Sequence, residues 1–342
     1  LLQKREENEL SQAFTAYNTR IVAPPHGSML PMSPVRKNIL MVACALGLLI
    51  PVVIIFICEN MNTRVRGRKD LESVTVPFIG EIPLFTRKKK GIFRKKPQEV
   101  RAIVVKEGSR DIINEAFRVL RTNLEFMTGK DKASNVIIVT SFNPGSGKSF
   151  LTMNIAVSFA IKGKKVLVID GDLRHGSASS YIDSPTKGLS DYLGGRIDNL
   201  NEIIVTNPKQ KYLDILPVGT IPPNPTELLF DDRLKQVIDT VREQYEYVLI
   251  DCPPIELVAD TQIIEKLADR TIFVVRAGLL ELSMLAELEK IYGEKKYKNM
   301  SLILNGTEGS GGRYGYRYGY RYGYHYGYGS EYHYGSDEKY IE

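Results

Sequence analysis

Residues 141–149 read Ser-Phe-Asn-Pro-Gly-Ser-Gly-Lys-Ser, and the residues around them indicate the fold of the chain. The apolar run 135–140 before it predicts a buried strand, and residues 150–161 after it have the apolar spacing of a helix. A glycine-rich loop in this position can wrap phosphate oxygens with its backbone N–H groups, because Gly145 and Gly147 permit unusual dihedrals and close approach. The N-terminus of the following helix adds a positive dipole. The stretch therefore predicts a phosphate-binding loop, in which Phe142 replaces the usual first glycine.

Three carboxylates that follow apolar strands indicate nucleotide chemistry. Asp170 and Asp172 lie at the end of the run 166–170, and Asp251 ends the run 247–251. A magnesium nucleotide needs acidic residues near the metal, directly or through its waters. Phosphoryl transfer needs neutralised charge and an in-line acceptor, and in some enzymes a carboxylate accepts the acceptor's proton. In a loop of this type Lys148 reaches the β- and γ-phosphates, and the Ser149 hydroxyl binds Mg²⁺.

These residues predict a site for ATP and Mg²⁺. The predicted catalytic residues are Lys148, Asp170, Asp172 and Asp251. The predicted metal ligands, direct or through water, are Ser149, Asp170 and Asp251. The predicted nucleotide contacts are Asn143, Pro144, Gly145, Ser146, Gly147, Lys148, Ser149, Phe150 and Arg174. A single strand ending in Asp is a weak signal, but three linked motifs in this order are a specific one.

Strand and helix patterns alternate through the rest of residues 99–307. Further strands are predicted at 271–275, 301–304 and, more weakly, 213–216, and further helices at 232–245, 261–268 and 280–292. This alternation predicts an α/β fold, a parallel sheet with helices on both faces. Ligands bind at the carboxyl ends of the strands in such sheets, where the loop and the carboxylates fall. The expected fold class is therefore a P-loop NTPase, and the pattern of its sheet resembles that of the ParA/MinD-like proteins.

Residues 39–58 carry no charge, and as a helix at about 1.5 Å per residue they span about 30 Å, the thickness of a bilayer core. The segment is internal and too long for the apolar part of a signal peptide. A buried core helix, kinked at Pro51, is the alternative. Basic residues gather after the segment, at 64–69 and 87–96, so the positive-inside rule places the C-terminal part in the cytoplasm. The cluster at 87–96 is also expected at the anionic inner leaflet.

Five regions are expected along the chain. They are the N-terminal region with a proline-rich connector (1–38), a transmembrane helix (39–58), a basic juxtamembrane linker (59–98), the catalytic domain (99–307) and a flexible tail (308–342). The chain has 342 residues and begins with Leu1, so we expect it to be part of a longer protein. Its three cysteines, Cys44, Cys58 and Cys252, imply no disulfide framework, which fits reducing surroundings for most of the chain.

Tyrosine alternates with glycine, arginine and histidine through the tail. The tail has almost no aliphatic residues, so it cannot bury enough surface to form a core, and its glycines oppose a strand. A nucleic-acid-binding or condensate-forming segment is the alternative, weakened by only three arginines among these tyrosines. The tyrosines are Tyr314, Tyr316, Tyr318, Tyr320, Tyr322, Tyr324, Tyr326 and Tyr328, followed by Tyr332, Tyr334 and Tyr340.

An amphipathic helix is predicted at residues 111–127. Spacings of three place Glu115, Arg118 and Arg121 along one side of it. From these residues alone, an ordinary salt-bridged face is the simpler interpretation.

Taken together, the motifs resemble the bacterial tyrosine kinases (BY-kinases) attached to polysaccharide co-polymerase membrane proteins. In that family the Walker A loop is joined by a Walker A′ motif, matched by Asp170, Asp172 and Arg174, and by a Walker B motif, matched by Asp251, Pro253 and Pro254. Glu115, Arg118 and Arg121 match a family motif implicated in ring-like oligomers, which favours an oligomer interface over a plain salt-bridged face. Residues 188–193 and 216–229 also look like family segments.

The resemblance implies an inner-membrane protein-tyrosine kinase that transfers the γ-phosphate of ATP to the tail tyrosines of neighbouring subunits. It implies a role in capsule or exopolysaccharide synthesis and export, with a polysaccharide polymerase, an outer-membrane exporter and a tyrosine phosphatase as partners. It also implies a periplasmic N-terminal segment and, before Leu1, a first membrane helix and a periplasmic domain. No nucleic-acid partner is expected. Each phosphate adds close to two negative charges, so the ring is expected to dissociate as the tail is phosphorylated.

Two other functions fit the same fold. A ParA/MinD-like ATPase switch carries a signature lysine early in the loop, where Asn143 stands here, and it lacks a membrane span and a tyrosine tail. A non-catalytic assembly scaffold would not require Lys148 and the three aspartates. Fold analogy alone does not decide between these functions, so the site and the tail carry the prediction of a kinase.

Overall fold

The computed structural model describes residues 2–15, 27, 36–85, 102–128, 135–207, 210–255 and 259–308, in two units divided after Asn62. The first unit contains α1 (Leu2–Thr15) and α2 (Arg36–Asn60). Within α2, Arg36–Ile57 is long and apolar enough to cross a membrane, with a mean hydropathy of 3.0 and none of its most apolar window buried. The proline-rich connector at 21–35 lies almost entirely outside the described residues.

The second unit is built on an eight-stranded sheet in the order β1-β8-β7-β2-β6-β3-β5-β4. Neighbouring strands are parallel except β4, which pairs antiparallel with β5. This confirms the predicted parallel sheet. The strands are β1 (Phe78–Pro83), β2 (Val136–Thr140), β3 (Val166–Asp170), β4 (Val205–Thr206), β5 (Leu213–Leu216), β6 (Tyr247–Asp251), β7 (Arg270–Arg276) and β8 (Met300–Thr307).

Helices cover both faces of the sheet because both faces of the central strands are apolar. Ile137 and Val139 pack into one core with α3 and α4, whereas Val136 and Ile138 pack into a second core with α7, α8 and α9. Continuous apolar strands of this kind are typical of parallel sheets buried on both sides. The helices of this unit are α3 (Ile112–Thr128), α4 (Lys148–Ile161), α5 (Leu189–Leu193), α6 (Pro225–Leu229), α7 (Asp232–Gln244), α8 (Asp260–Glu265) and α9 (Met284–Gly293).

Residues 63–85, predicted as part of a linker, are folded into the second unit. Strand β1 pairs with β8 and closes that edge of the sheet, with Ile79 and Ile82 buried. The segment was missed because Gly80 and Pro83 interrupt its apolar pattern, and both residue types are tolerated at a sheet edge. The expected linker is therefore wrong over residues 63–85, whereas residues 86–98 lie outside the described part of the chain.

Candidate active site

The glycine-rich loop joins β2 to α4 and has the backbone that the sequence requires. Gly145 and Gly147 have φ angles of 74° and 87°, a region that L side chains rarely adopt. Asn305 Nδ2, from β8, donates to the Ser146 carbonyl at 2.8 Å and fixes the middle of the loop. Phe142, which replaces the usual glycine, is buried and packs edge-on against Phe273 with ring centroids 4.9 Å apart. Phe142 therefore extends the hydrophobic core beneath the glycine-rich loop.

Two of the predicted carboxylates lie side by side. Because β3 is hydrogen-bonded to β6, Asp170 and Asp251 are direct neighbours in register, and both are buried. The Ser149 hydroxyl donates to Asp251 Oδ2, which joins the start of α4 to the end of β6. Asp170 Oδ2 accepts two hydrogen bonds of 2.6 Å from Ser179, one from its backbone N–H and one from its hydroxyl.

Burial raises the pKa of both carboxyl groups. For Asp251, burial and repulsion from Asp170 raise the pKa, and the Ser149 hydrogen bond and the Lys148 charge oppose the rise. For Asp170, burial raises the pKa and the Ser179 hydrogen bonds lower it. Two adjacent carboxylates in a low-dielectric site favour a cation beside them. Lys148, itself buried in the first turn of α4, supplies one such charge.

The donor set also fits a divalent ion. Asp170 Oδ1 and Asp251 Oδ1 are buried and have no hydrogen-bond partner, so each carboxylate keeps an oxygen for another ligand. Within the described residues no group of three His, Cys, Asp or Glu side chains could hold a metal by itself. An ion here would therefore complete its shell with phosphate oxygens and water, as Mg²⁺ does in nucleotide sites.

Asp172 lies nearer the surface than the other two aspartates. Its Oδ1 accepts from the backbone N–H groups of Arg174 and His175 at 3.2 Å, which fixes the turn after β3. The ring of His175, which is largely exposed, lies 3.3 Å from the same carboxylate. Asp172 is thus the carboxylate closest to the solvent side of the site, where an acceptor would enter.

Arg174 meets residues that the sequence did not single out. Its Nε contacts Asp260 Oδ2 at 3.1 Å, and its Nη2 donates to Thr226 Oγ1 at 2.9 Å. The Thr226 hydroxyl in turn donates to Asp260 Oδ1 at 2.6 Å, and Asp260 is fully buried. This lock, defined as Arg174, Thr226 and Asp260, ties the turn after β3 to α6 and α8. The guanidinium predicted to contact nucleotide is therefore held by protein groups.

The three residues on α3 contact each other, the segment before α3 and helix α4. Glu115 and Arg118 form an ion pair, and Arg118 Nη2 donates to the Ser109 carbonyl at 2.6 Å. Arg121 Nη1 donates to the Ser158 carbonyl of α4 at 2.8 Å. The predicted phosphorylation sites, Tyr314–Tyr340, lie outside the described residues.

Reasoning from the sequence missed Ser179, Thr226, Asp260 and Asn305. Asp260, Thr226 and Asn305 act through contacts at least 34 positions away along the chain, and Ser179 contacts Asp170 across nine positions with no motif to mark it. An Asn at the end of a strand and an Asp at the start of a helix are the only local signals, and both are common.

Comparisons with known proteins agree with this geometry. A family model described as an AAA domain matches residues 134–302. The chain is 33% identical over 303 residues to the putative tyrosine-protein kinase AmsA of Erwinia amylovora, covering 85% of this chain and 41% of the relative. It is 32% identical over 334 residues to the putative tyrosine-protein kinase EpsB of Ralstonia solanacearum, covering 92% of this chain and 42% of the relative. The chain thus spans about two fifths of the length of these curated relatives.

Two solved structures share the fold. The kinase domain of the Escherichia coli tyrosine kinase ETK is 29% identical with a TM-score of 0.62, covering 78% of this chain and 100% of that domain. The BceF tyrosine kinase domain is 30% identical with a TM-score of 0.59, covering 71% of this chain and 99% of that domain.

Proposed function

Since the chain belongs to the family of bacterial tyrosine-protein kinases, we propose that it transfers the γ-phosphate of ATP to tyrosines in the C-terminal tail of a neighbouring copy. One observation carries this proposal. Strand β8 is parallel to its neighbours, so its carboxyl end lies at the same end of the sheet as the glycine-rich loop, Asp170 and Asp251. The first tail tyrosine, Tyr314, follows the last residue of that strand, Thr307, by seven positions. The acceptor tyrosines are therefore attached at the carboxyl end of the sheet, where the nucleotide would bind.

The residues divide the chemistry between them. Lys148 and the loop N–H groups hold the phosphates, and Ser149 with Asp170 and Asp251 would hold Mg²⁺. The ion would neutralise charge on the β- and γ-phosphates. The tail tyrosine oxygen forms a bond to the γ-phosphorus as the bond to the β,γ-bridging oxygen breaks, with ADP as leaving group. Asp172, nearest to solvent, accepts the tyrosine proton.

The membrane and the wider process belong to the same proposal. The helix 36–57 would anchor the kinase in the inner membrane, with the kinase unit and tail in the cytoplasm and the preceding segment in the periplasm. Capsule or exopolysaccharide production is the process served, with a polymerase, an exporter and a tyrosine phosphatase as partners. Large apolar side chains exposed on α3, among them Ile112 and Phe126, support self-association through that helix.

A mixing experiment tests transfer between subunits. The acceptor is the full chain carrying Lys148→Met, and the enzyme is the chain ending at Glu308, which keeps the site but has no tail tyrosines. With γ-labelled ATP and Mg²⁺, label should appear on the tail of the Lys148→Met chain only when both proteins are present. ATP hydrolysis without label on the tail would instead support an ATPase switch, and no turnover would support a scaffold.

A further inference from the structure

A surface beside the active site has the properties of an acceptor-docking site. Helix α6 is anchored beside the active site, because Thr226 is hydrogen-bonded to both Arg174 and the buried Asp260. The next turn of the same segment points outward: the Phe230 N–H donates to the Thr226 carbonyl at 3.3 Å, yet the Phe230 side chain is 64% exposed. A rigid link of one helical turn therefore joins this exposed aromatic ring to the catalytic centre.

The exposed side of this corner is both apolar and acidic. Phe230 and Ile221 are, with Phe126, the most exposed large apolar side chains in the described part of residues 63–308. Exposed carboxylates accompany them at Glu227, Asp231 and Asp232, and residues 221–232 contain no lysine or arginine. We name Ile221, Glu227, Phe230 and Asp232 the α6 corner. An aromatic ring flanked by carboxylates suits a ligand that carries both aromatic rings and cations.

The tail of this protein has that chemistry. Residues 309–330 contain eight tyrosines and three arginines, Arg313, Arg317 and Arg321, and no Asp or Glu. Each arginine is followed directly by a tyrosine, and Arg317 and Arg321 also follow one. A bound segment can therefore place a guanidinium on a carboxylate while an adjacent tyrosine packs on Phe230 and another enters the site. Because phosphate would repel Glu227 and Asp232, a phosphorylated segment would leave this surface more readily than an unmodified one.

We propose that the α6 corner docks the Arg-Tyr-Gly-Tyr repeats of the tail of a second copy of this chain and presents their tyrosines to Asp172. The proposal rests on the proposed kinase function and adds the surface that selects the substrate. Residues of the corner take no part in the chemistry, so they should affect recognition of the acceptor and leave nucleotide binding unchanged.

Steady-state phosphorylation of a synthetic peptide tests the proposal. The enzyme is the chain ending at Glu308 in detergent micelles, and the substrate is a peptide of residues 311–330. Glu227→Lys should raise the KM for the peptide about fivefold, the size expected for an exposed charge pair. Phe230→Ala should raise the KM for the peptide by a similar factor, because the variant removes an aromatic contact with the peptide. The kcat and the KM for ATP should stay unchanged in both variants.

Matched controls separate docking from general effects. Glu243→Lys reverses an exposed charge at the C-terminal end of α7, close to the start of β6. Tyr212→Ala removes an exposed ring just before β5. Neither should change the KM for the peptide. A second peptide has the three arginines replaced by alanine. Its KM with the unmodified enzyme should be about as high as the KM of the original peptide with Glu227→Lys. Its KM should rise little further when it is tested with Glu227→Lys.

The outcomes are distinct. An unchanged KM for the peptide in Glu227→Lys and Phe230→Ala, or equal effects in the controls, would overturn the docking site while leaving the kinase intact. No phosphorylation of the peptide by the unmodified enzyme, with ATP hydrolysis retained, would instead overturn the proposed function. Thermal unfolding of each variant confirms folding, and Phe230→Ala keeps the test valid if Glu227→Lys unfolds, since its ring is mostly exposed.

Discussion

At the scale of single residues, Asp170 and Asp251 lie side by side and buried, and each keeps one oxygen without a hydrogen-bond partner. Such groups lower the stability of the nucleotide-free protein, because two like charges share a low-dielectric site. The same arrangement favours binding of a cation. The two carboxylates therefore favour cation binding and lower the stability of the nucleotide-free protein. A substitution that removes one of the charges should restore this stability.

Asp251→Asn should raise the stability of the nucleotide-free chain and abolish transfer. The pKa of Asp251 is raised in the fold, so its stabilising contribution is full at acid pH and is lost as the pH rises through that pKa. The gain from Asn should therefore grow between about pH 5 and about pH 8, to about 1 kcal/mol or more, or roughly 2–4 °C in Tm.

Differential scanning fluorimetry across this pH range measures the effect. Asp239→Asn, on the exposed side of α7, is the control and should leave the Tm unchanged at every pH. A gain that is the same at pH 5 and pH 8 would contradict the assignment of charge repulsion to Asp251.

Asn305→Ala should weaken nucleotide binding, since its side chain holds the Ser146 carbonyl from outside the loop. Loss of one buried hydrogen bond of about 1.4 kcal/mol corresponds to a roughly tenfold higher Kd for MgADP. Isothermal titration calorimetry measures this Kd, and an unchanged value would show that the loop keeps its shape without Asn305.

The conformation of the glycine-rich loop could be predicted from the sequence, whereas the residue that supports the loop from another strand could not. Gly145 and Gly147 could be assigned because their positive φ angles follow from the loop type. Asn305 could not, because its partner lies 159 positions away and is a backbone carbonyl. A contact of that kind depends on strand order, which local pattern does not determine.

At the scale of elements, the lock of Arg174, Thr226 and Asp260 joins three segments that are far apart in the chain. Asp260 starts α8, Thr226 belongs to α6, and Arg174 follows β3. The lock holds the turn that carries Asp172 and so positions the carboxylate assigned to the acceptor.

Asp260→Asn should therefore lower the kcat for tail phosphorylation about tenfold, the effect of roughly 1.4 kcal/mol lost in the transition state. The Kd for MgADP should change less than about twofold, since the lock does not contact the glycine-rich loop. Thr226→Val, which keeps the shape and removes the hydroxyl, should act in the same direction. A parallel loss of kcat and nucleotide affinity would indicate a general structural role instead.

Edge elements were the least predictable part of the fold. The central strands and long helices are apolar enough to be found from periodicity, and they lie where expected. Strand β1 contains Gly80 and Pro83, and β4 has only two residues, so neither has a pattern of its own. Both strands form because a neighbouring strand offers hydrogen-bonding partners. That neighbour is set by the tertiary structure and cannot be inferred from the local sequence.

At the scale of the whole molecule, self-association is expected through α3. Phe126 is 77% exposed on this helix, and Ile112 and Val119 are exposed on it at spacings of seven. Phe126→Asp should shift the unphosphorylated chain toward monomers in mass photometry, with no loss of Tm because the ring is not in the core. Tyr212→Asp is the control, and oligomers that persist in Phe126→Asp would place the interface elsewhere.

Phosphotyrosine mapping tests whether the tail tyrosines of this protein accept the phosphate that it transfers. The dephosphorylated full chain is incubated with ATP and Mg²⁺, and phosphotyrosine is mapped by mass spectrometry beside Lys148→Met. We expect phosphate on tyrosines between Tyr314 and Tyr340 that is absent from Lys148→Met. Tail tyrosines that stay unmodified while ATP is hydrolysed, or phosphate that persists in Lys148→Met, would contradict it.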